Sequence, residues 1–382
     1  MLRRLALATT ALVLVLACSA QARIVPISEY RLSNARLDTL RDHWVDQLLA
    51  RHSVGTWAPM KFTLTNADLK LMGLPPKRVL LAHHYRRPTV VRPDGRMWTL
   101  GTRTKKKSRP PGGHGGGSNT NTAGGGTISY AGAGFFGIRP GAWLLTVTDK
   151  EVGWCSMAHV YGTPGAYQIS TAGHCGKVGD TATVIGAVGD HQVGGTPVPV
   201  LLDFGKYTSS TGDAGIGKDW ALISVDPEDQ ALVSPTMAFW GGPRGMFTSV
   251  GEVASINLSG NQPQISTNPN PALAQQILHY GHGAGIGAGG TPRTGTAISW
   301  QADHFSFFGA ITPGDSGSGS NTLLGDAPGD EREAAGINTH IYVDPSLKTG
   351  LGYLAGTRAT LVRATLADGQ LIPYPAPVPG AP

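Results

Sequence analysis

The chain has 382 residues, 40% hydrophobic and 15% charged, with a formal net charge of +6. The charge is unevenly spread: residues 23–125 carry eighteen Lys/Arg against six Asp/Glu, residues 126–382 eleven against nineteen. A basic total would point to nucleic acid or an anionic membrane, but the acidic second part excludes nucleic acid as its own partner and confines any such contact to the first part.

In chain order, Arg3 and Arg4 precede an apolar run from Leu5 to Ala17 and then Ala20-Gln21-Ala22, a small-x-small cleavage site. This reads as an export signal over 1–22, with an apolar core too short to span a bilayer of about 30 Å. Secretion is expected. The alternative is a lipid anchor at Cys18, because Val15-Leu16-Ala17-Cys18 is a poor version of a lipoprotein cleavage box.

Residues 23–103 read as a small, basic α+β pro-segment. Leu37, Leu40, Trp44 and Leu48 recur at helical spacing through 32–50, which predicts an amphipathic helix. Asn66 is placed as the cap of a short second helix ended by Gly73 and Pro75. Val79-Leu80-Leu81 and Met97-Trp98-Thr99-Leu100 are taken as strands, with Pro93-Asp94-Gly95 as a turn. Its charge is opposite to that of the remainder, so the pro-segment is expected to bind the rest of the chain as a chaperone or inhibitor. The alternative is an accessory domain that stays attached. Residues 104–127, Lys105-Lys106-Lys107-Ser108-Arg109 and then a Gly/Ser/Asn/Thr-rich run, read as a cleavable linker. Residues 128–372 are the expected catalytic domain, all-β from its many glycines and short apolar runs. Residues 373–382 form a Pro/Ala-rich tail.

Three motifs carry the chemistry: Thr171-Ala172-Gly173-His174-Cys175, Asp219-Trp220-Ala221-Leu222-Ile223 and Gly314-Asp315-Ser316-Gly317-Ser318-Gly319. A serine hydroxyl is a weak nucleophile at neutral pH and needs a base within hydrogen-bond reach. His174 is the candidate base for Ser316, and Asp219 the carboxylate that holds the imidazole tautomer. Asp203 and Asp213 are nearby rivals for that last role. The order His, Asp, Ser differs from the Asp, His, Ser and Ser, Asp, His orders of two unrelated folds. A nucleophile elbow also fails, because position 318 is serine where that motif needs glycine. The turn instead suits backbone amides aimed at one point, those of Gly314 and Ser316, as an oxyanion hole.

These residues resemble the chymotrypsin-like (trypsin-fold) serine proteases, in particular their secreted bacterial members. The resemblance covers roughly residues 128 to 365. It implies two six-stranded antiparallel β-barrels with the active site between them, and a serine endopeptidase acting through an acyl-enzyme. Cys155 and Cys175 are similar to the family's disulfide beside the catalytic histidine, and export to an oxidising space also favours their pairing. Ala335–Ile341 resembles the strand lining the specificity pocket, which brings Thr339 and His340 to it, and Tyr280-Gly281-His282-Gly283 is loosely similar to the strand before the serine loop. Counting back from Ser316, Ala310 falls at the pocket floor. Without an aspartate there, cleavage after Lys or Arg is not expected, and small or apolar side chains are favoured. His340 pulls the other way, since a histidine on this strand occurs in some glutamate-cleaving relatives.

The expected partners are a protein or peptide substrate and the chain's own pro-segment 23–103, in a monomer. The chemistry requires no cofactor. Gly285–Gly290 nominally matches a dinucleotide fingerprint but lacks the surrounding βαβ pattern, and a flexible loop is expected. His279 and His282 are read as exposed loop histidines rather than metal ligands. The competing functions are an esterase using the same triad and a secreted binding protein on a protease-like scaffold.

Overall fold

The structure is a computed structural model. It describes residues 23–25, 34–92, 94–99, 138–148, 150–189, 198–237, 239–257, 264–267, 270, 273–281, 291–326, 331–367 and 369–374. The expected export signal, the basic run, the Gly-rich linker, Gly285–Gly290 and His282 lie outside the described residues, as does most of the tail. No helix among the described residues is long and apolar enough to cross a membrane.

The first segment contributes β1 (Arg23–Val25), helix α1 (Asn34–Arg51), β2 (Trp57–Pro59), β3 (Phe62–Thr63), α2 (Asn66–Leu71), α3 (Lys77–Ala82), β4 (Thr89–Val91) and β5 (Met97–Thr99). Leu37, Leu40, Trp44 and Leu48 of α1 are buried, in one core cluster with Trp143, Trp154, Phe305 and Leu354. Full burial of each such side chain is worth about 1.5–3 kcal/mol, so the apolar stripe binds the helix to the rest of the molecule.

Two local expectations are corrected. Thr65, not Asn66, caps α2: its hydroxyl accepts from Asp68 N while the Asp68 carboxylate accepts from Thr65 N, a reciprocal box. Asn66 Oδ1 instead accepts the amide of Lys77 (2.8 Å). Val79-Leu80-Leu81 lies in helix α3 rather than in a strand. Three apolar residues carry no period of their own, and Pro76, at the cap position with Asn66 on the first amide, sets a helical start.

The strands that follow are β6 (Trp143–Val147), β7 (Val152–Ser156), β8 (Val160–Thr163), β9 (Ala166–Thr171), β10 (Thr181–Gly189), β11 (Val198–Ser210) and β12 (Ala221–Val225). They pair antiparallel in the order β8-β9-β12-β11-β10-β6-β7. After β13 (Gly251–Glu252) and the hairpin β14 (Ala254–Asn257)–β15 (Gln264–Thr267) come β16 (Gln276–Gly281), β17 (Thr291–Trp300), β18 (His304–Ala310), β19 (Gly319–Thr322), β20 (Ala334–Tyr342) and β21 (Leu351–Arg358). The pairings β17-β16-β19-β20-β21-β18, with β18 returning to β17, close a six-stranded antiparallel barrel. Closure removes exposed strand edges. The last elements among the described residues are α4 (Ala359–Ala364) and β22 (Gln370–Leu371), which pairs with β8. The described fold is thus mostly β, a closed barrel beside a second large sheet.

The first segment is not set apart from these sheets. β1 pairs with β10, β4 with β11, β3 with β7 and β2 with β20. β2 and β3 are separated by only Met60 and Lys61, yet they join different sheets. Residues 57–63 therefore cross from the closed barrel to the other sheet.

His159, fully buried between β7 and β8, ties the two sheets together by donating from Nε2 to Asn321 Oδ1 of β19 (2.9 Å). Burial pushes its imidazole down to about 4, with the Asn321 bond opposing. Because the unfolded state then binds the proton more tightly, this contribution is present above about pH 6.5 and is lost as pH falls toward 4, at up to ~1.4 kcal/mol per pH unit. Chemical denaturation from pH 7 to pH 4.5 is expected to show that loss, with a shallower slope in His159→Gln. An unchanged slope in the variant would remove His159 as its source.

Candidate active site

Three loops at the junction of the two sheets bring the motif residues together. β9 ends at Thr171, and a single 3-10 turn, Gly173–Cys175, carries His174. The turn is tight: a Cβ on Gly173 would lie 2.4 Å from the Gly212 carbonyl oxygen. Asp219 stands two residues before β12, and Ser316 lies in the turn between β18 and β19. Two of the three thus come from the second large sheet and one from the closed barrel.

His174 Nδ1 is 2.6 Å from Asp219 Oδ2, and the backbone N–H of His174 donates to Asp219 Oδ1 (3.1 Å). Both carboxylate oxygens are thereby occupied by one residue, which fixes the imidazole plane. Thr357 Oγ1 donates to the Asp219 carbonyl (2.8 Å) and anchors the loop to β21. On the far side of the ring, His174 Nε2 and Ser316 Oγ are hydrogen-bonded. Asp219 and Ser316 are 0% exposed and His174 9%. Cys155 and Cys175 form a disulfide that ties β7 to the histidine turn, with a Cα–Cα distance of 6.2 Å. Of the rival carboxylates, Asp203 lies in β11, where it accepts from Thr183 Oγ1 and Tyr85 N (2.7 Å each) and burial pushes its carboxyl up. Asp213 is half-exposed and 3.5 Å from His340 Nε2.

The serine turn is locked from beneath by a buried ion pair. Arg293 of β17 makes a two-pronged contact with Asp315, its NH2 group 2.6 Å from Oδ1, and also donates to Thr312 Oγ1 (2.9 Å) and the Gly281 carbonyl (3.0 Å). Asp315 Oδ2 further accepts the amide of Thr312 (2.9 Å). Gly314 has φ +87°, and a Cβ there would lie 2.4 Å from the Trp154 ring, so only glycine fits this position. The flanking amides of Asp315 and Gly317 donate to the carbonyls of Thr312 and Asn338. Among the described residues the amides of Gly314 and Ser316 have no protein acceptor, as an oxyanion site needs.

The residues expected at the pocket are placed as follows. Ala310 ends β18, paired with Leu351. Thr339 and His340 lie in β20, directly after Asn338, whose carbonyl accepts from Gly317 N (2.7 Å). His340 packs edge-on to His174 with ring centroids 6.5 Å apart, its Nδ1 2.9 Å from Thr339 Oγ1 and 3.9 Å from Asp219 Oδ2. Burial holds its imidazole below the usual histidine range, against the opposing pull of Asp219. His279 is not an exposed loop histidine: it is fully buried in β16 against Phe307, its imidazole held far down by burial and by Arg293. The hydrophobic pair Ile277-Leu278 beside it and pairing with both β17 and β19 take the strand inside from Ile277 on.

Sequence reasoning missed Arg293. A buried aspartate needs a cation or hydrogen-bond donors to offset its charge, and nothing marks one of the 31 Lys/Arg as the partner of Asp315.

No protein-family model and no curated protein matches the chain. Among solved structures it is similar to Thermobifida fusca protease A, at 14% identity over 62% of this chain and 98% of that one, with a TM-score of 0.33. It is similar also to the thermostable serine protease AL20 from an extremophilic microorganism (16% identity, 57% and 89% covered, TM-score 0.35). A third is a glutamic-acid-specific serine protease described as using a novel histidine triad in substrate binding (16%, 60% and 97%, 0.32). At these values no residue role passes from them to this chain.

Removing one partner of a buried ion pair leaves the other charge uncompensated and costs about 3–5 kcal/mol. Arg293→Met is therefore expected to lower the urea-unfolding free energy by that amount, and Arg293→Met with Asp315→Asn to recover part of it. If the double variant were no more stable than the single one, the pair would not be what locks the turn.

Proposed function

We propose that the chain is a secreted serine endopeptidase, made as a precursor, that cleaves peptide bonds through an acyl-enzyme on Ser316. The observation that carries this reading is the continuous relay from Ser316 Oγ through His174 to Asp219 at the junction of two sheets. In it, His174 Nε2 takes the Ser316 proton as Oγ attacks the substrate carbonyl, and later gives it to the leaving amine. Asp219 keeps the proton of Nδ1 in place and stabilises the imidazolium. The amides of Gly314 and Ser316 would receive the charge developing on the carbonyl oxygen, a contribution of roughly 3–4 kcal/mol per donor.

Peptide rather than simple ester substrates are favoured by what borders the serine. β20 and β7 each pair, beside the triad, with an extended piece of polypeptide, the mode by which a sheet edge recognises a peptide backbone. Ala310, Thr339 and His340 are proposed to shape the pocket for the residue before the cleaved bond, small or apolar and not Lys or Arg. Cleavage of the Lys105–Arg109 run is then assigned to a different protease. The molecule acts as a monomer on protein substrates, with residues 23–103 as its internal partner.

The test is prolonged treatment of the full chain with a fluorophosphonate probe, with peptide mapping of the adduct and a casein assay after limited proteolysis within 104–127. The expected result is a single adduct on Ser316 that is lost in Ser316→Ala and His174→Ala. Casein hydrolysis should fall by about 10⁶-fold in those variants and by about 10⁴-fold in Asp219→Asn. An adduct with no hydrolysis of any protein would favour the esterase, and no adduct the binding scaffold.

A further inference from the structure

A hydrolase must admit a substrate to its serine, yet Ser316 is 0% exposed. Residues 57–63 pair with the strands on both sides of its turn. On one side, β2 runs antiparallel to β20 in the register Trp57↔Tyr342, Ala58↔Ile341, Pro59↔His340. The ladder continues past both ends of β2, with Val343 N donating to Thr56 O (2.8 Å) and Met60 N to Thr339 O (2.9 Å). Thr339 follows Asn338, whose carbonyl is bonded by the amide next to Ser316. On the other side, β3 pairs with β7 in the register Phe62↔Trp154, Thr63↔Gly153, and Leu64 N donates to Val152 O (2.9 Å). Two residues along β7 from Trp154, Ser156 N donates to the Ser316 carbonyl (2.7 Å). Met60 and Lys61 thus join the strand paired with β20 to the strand paired with β7, a stretch of about 7 Å in extended chain.

We propose that residues 57–63 are a self-inhibiting strap, bound across the active site as an extended peptide with the Met60–Lys61 bond over Ser316. This rests on the protease reading above. Met60 is 0% exposed, and Lys61 Nζ pairs with Glu151 Oε1 (2.8 Å). The strap is also held from behind: Gln47 of α1 donates to Thr63 O (3.1 Å), and His43 of α1 lies 2.8 Å from Asp68, which boxes the start of α2. Because it is covalently part of the chain and pinned at both ends, it competes at the high effective concentration of an intramolecular ligand. Among the described residues no carbonyl of the strap accepts from the amides of Gly314 or Ser316. In this arrangement the strap occupies the site without engaging those two amides.

The ladder's alternation places the Ala58 N–H toward β20, so Ala58→Pro deletes a rung and adds a ring at a crowded edge. In the full chain, fluorophosphonate labelling of Ser316 is expected to run at least tenfold faster in Ala58→Pro than in the natural chain, and to be unchanged in Arg78→Ala on the nearby helix. Wild-type protein gives a second readout that does not depend on the variant folding. Once Ser316 carries the adduct, amide exchange in a peptide covering 57–63 is expected to rise at least tenfold, while α1 stays protected. Equal labelling rates in both chains, with exchange in 57–63 unaffected by the adduct, would overturn the strap and leave the protease reading standing. Rapid exchange in 57–63 of Ala58→Pro with no label on Ser316 would instead overturn both.

Discussion

The relay depends on keeping a carboxylate out of water. Asp219 is fully buried, and an isolated buried carboxylate would cost several kcal/mol or take up a proton. Its cost is offset by two hydrogen bonds from a single residue, the backbone amide and Nδ1 of His174. The same two bonds point Nε2 at Ser316, so what solvates the charge also aims the base. Asp315 repeats the solution with Arg293, and there the product is a fixed serine turn.

Neither sheet could build this site alone. His174 and Asp219 follow and precede strands of one sheet, while Ser316 and its supporting arginine belong to the closed barrel. The junction is stitched by His159 to Asn321 and by Ser156 to the Ser316 carbonyl, while the disulfide braces the histidine turn within its own sheet. Among the described residues of 23–99, four short strands pair with the two sheets. This makes the first segment part of the fold's hydrogen bonding and core rather than a neighbour attached through opposite charge alone.

What was legible in the sequence was local. The His174 and Ser316 motifs are short turns whose glycines are demanded by steric contacts within reach of the turn, such as Gly314 against Trp154. The α1 stripe was legible because four apolar side chains share one helical face. Asp219 was ambiguous against Asp203 and Asp213 until the strands were placed, since all three are near in sequence and only one faces the histidine. Barrel closure by β17 and β18, and the choice of Arg293, depend on pairings that composition does not encode. Residues 57–63 were passed over entirely: strands of three and two residues are too short to show a period of two, and their partners lie some 90 and 280 residues away.

Activation of Ser316 by His174 and Asp219 makes acylation of the serine faster than its release. Pre-steady-state hydrolysis of an activated nitrophenyl ester by the Ala58→Pro chain reads this out. A burst of one nitrophenolate per chain, followed by slower turnover and abolished by His174→Ala, is the predicted result. Turnover without a burst, or a burst that survives His174→Ala, would contradict the account, because Ser316 would then not be acylated through that base.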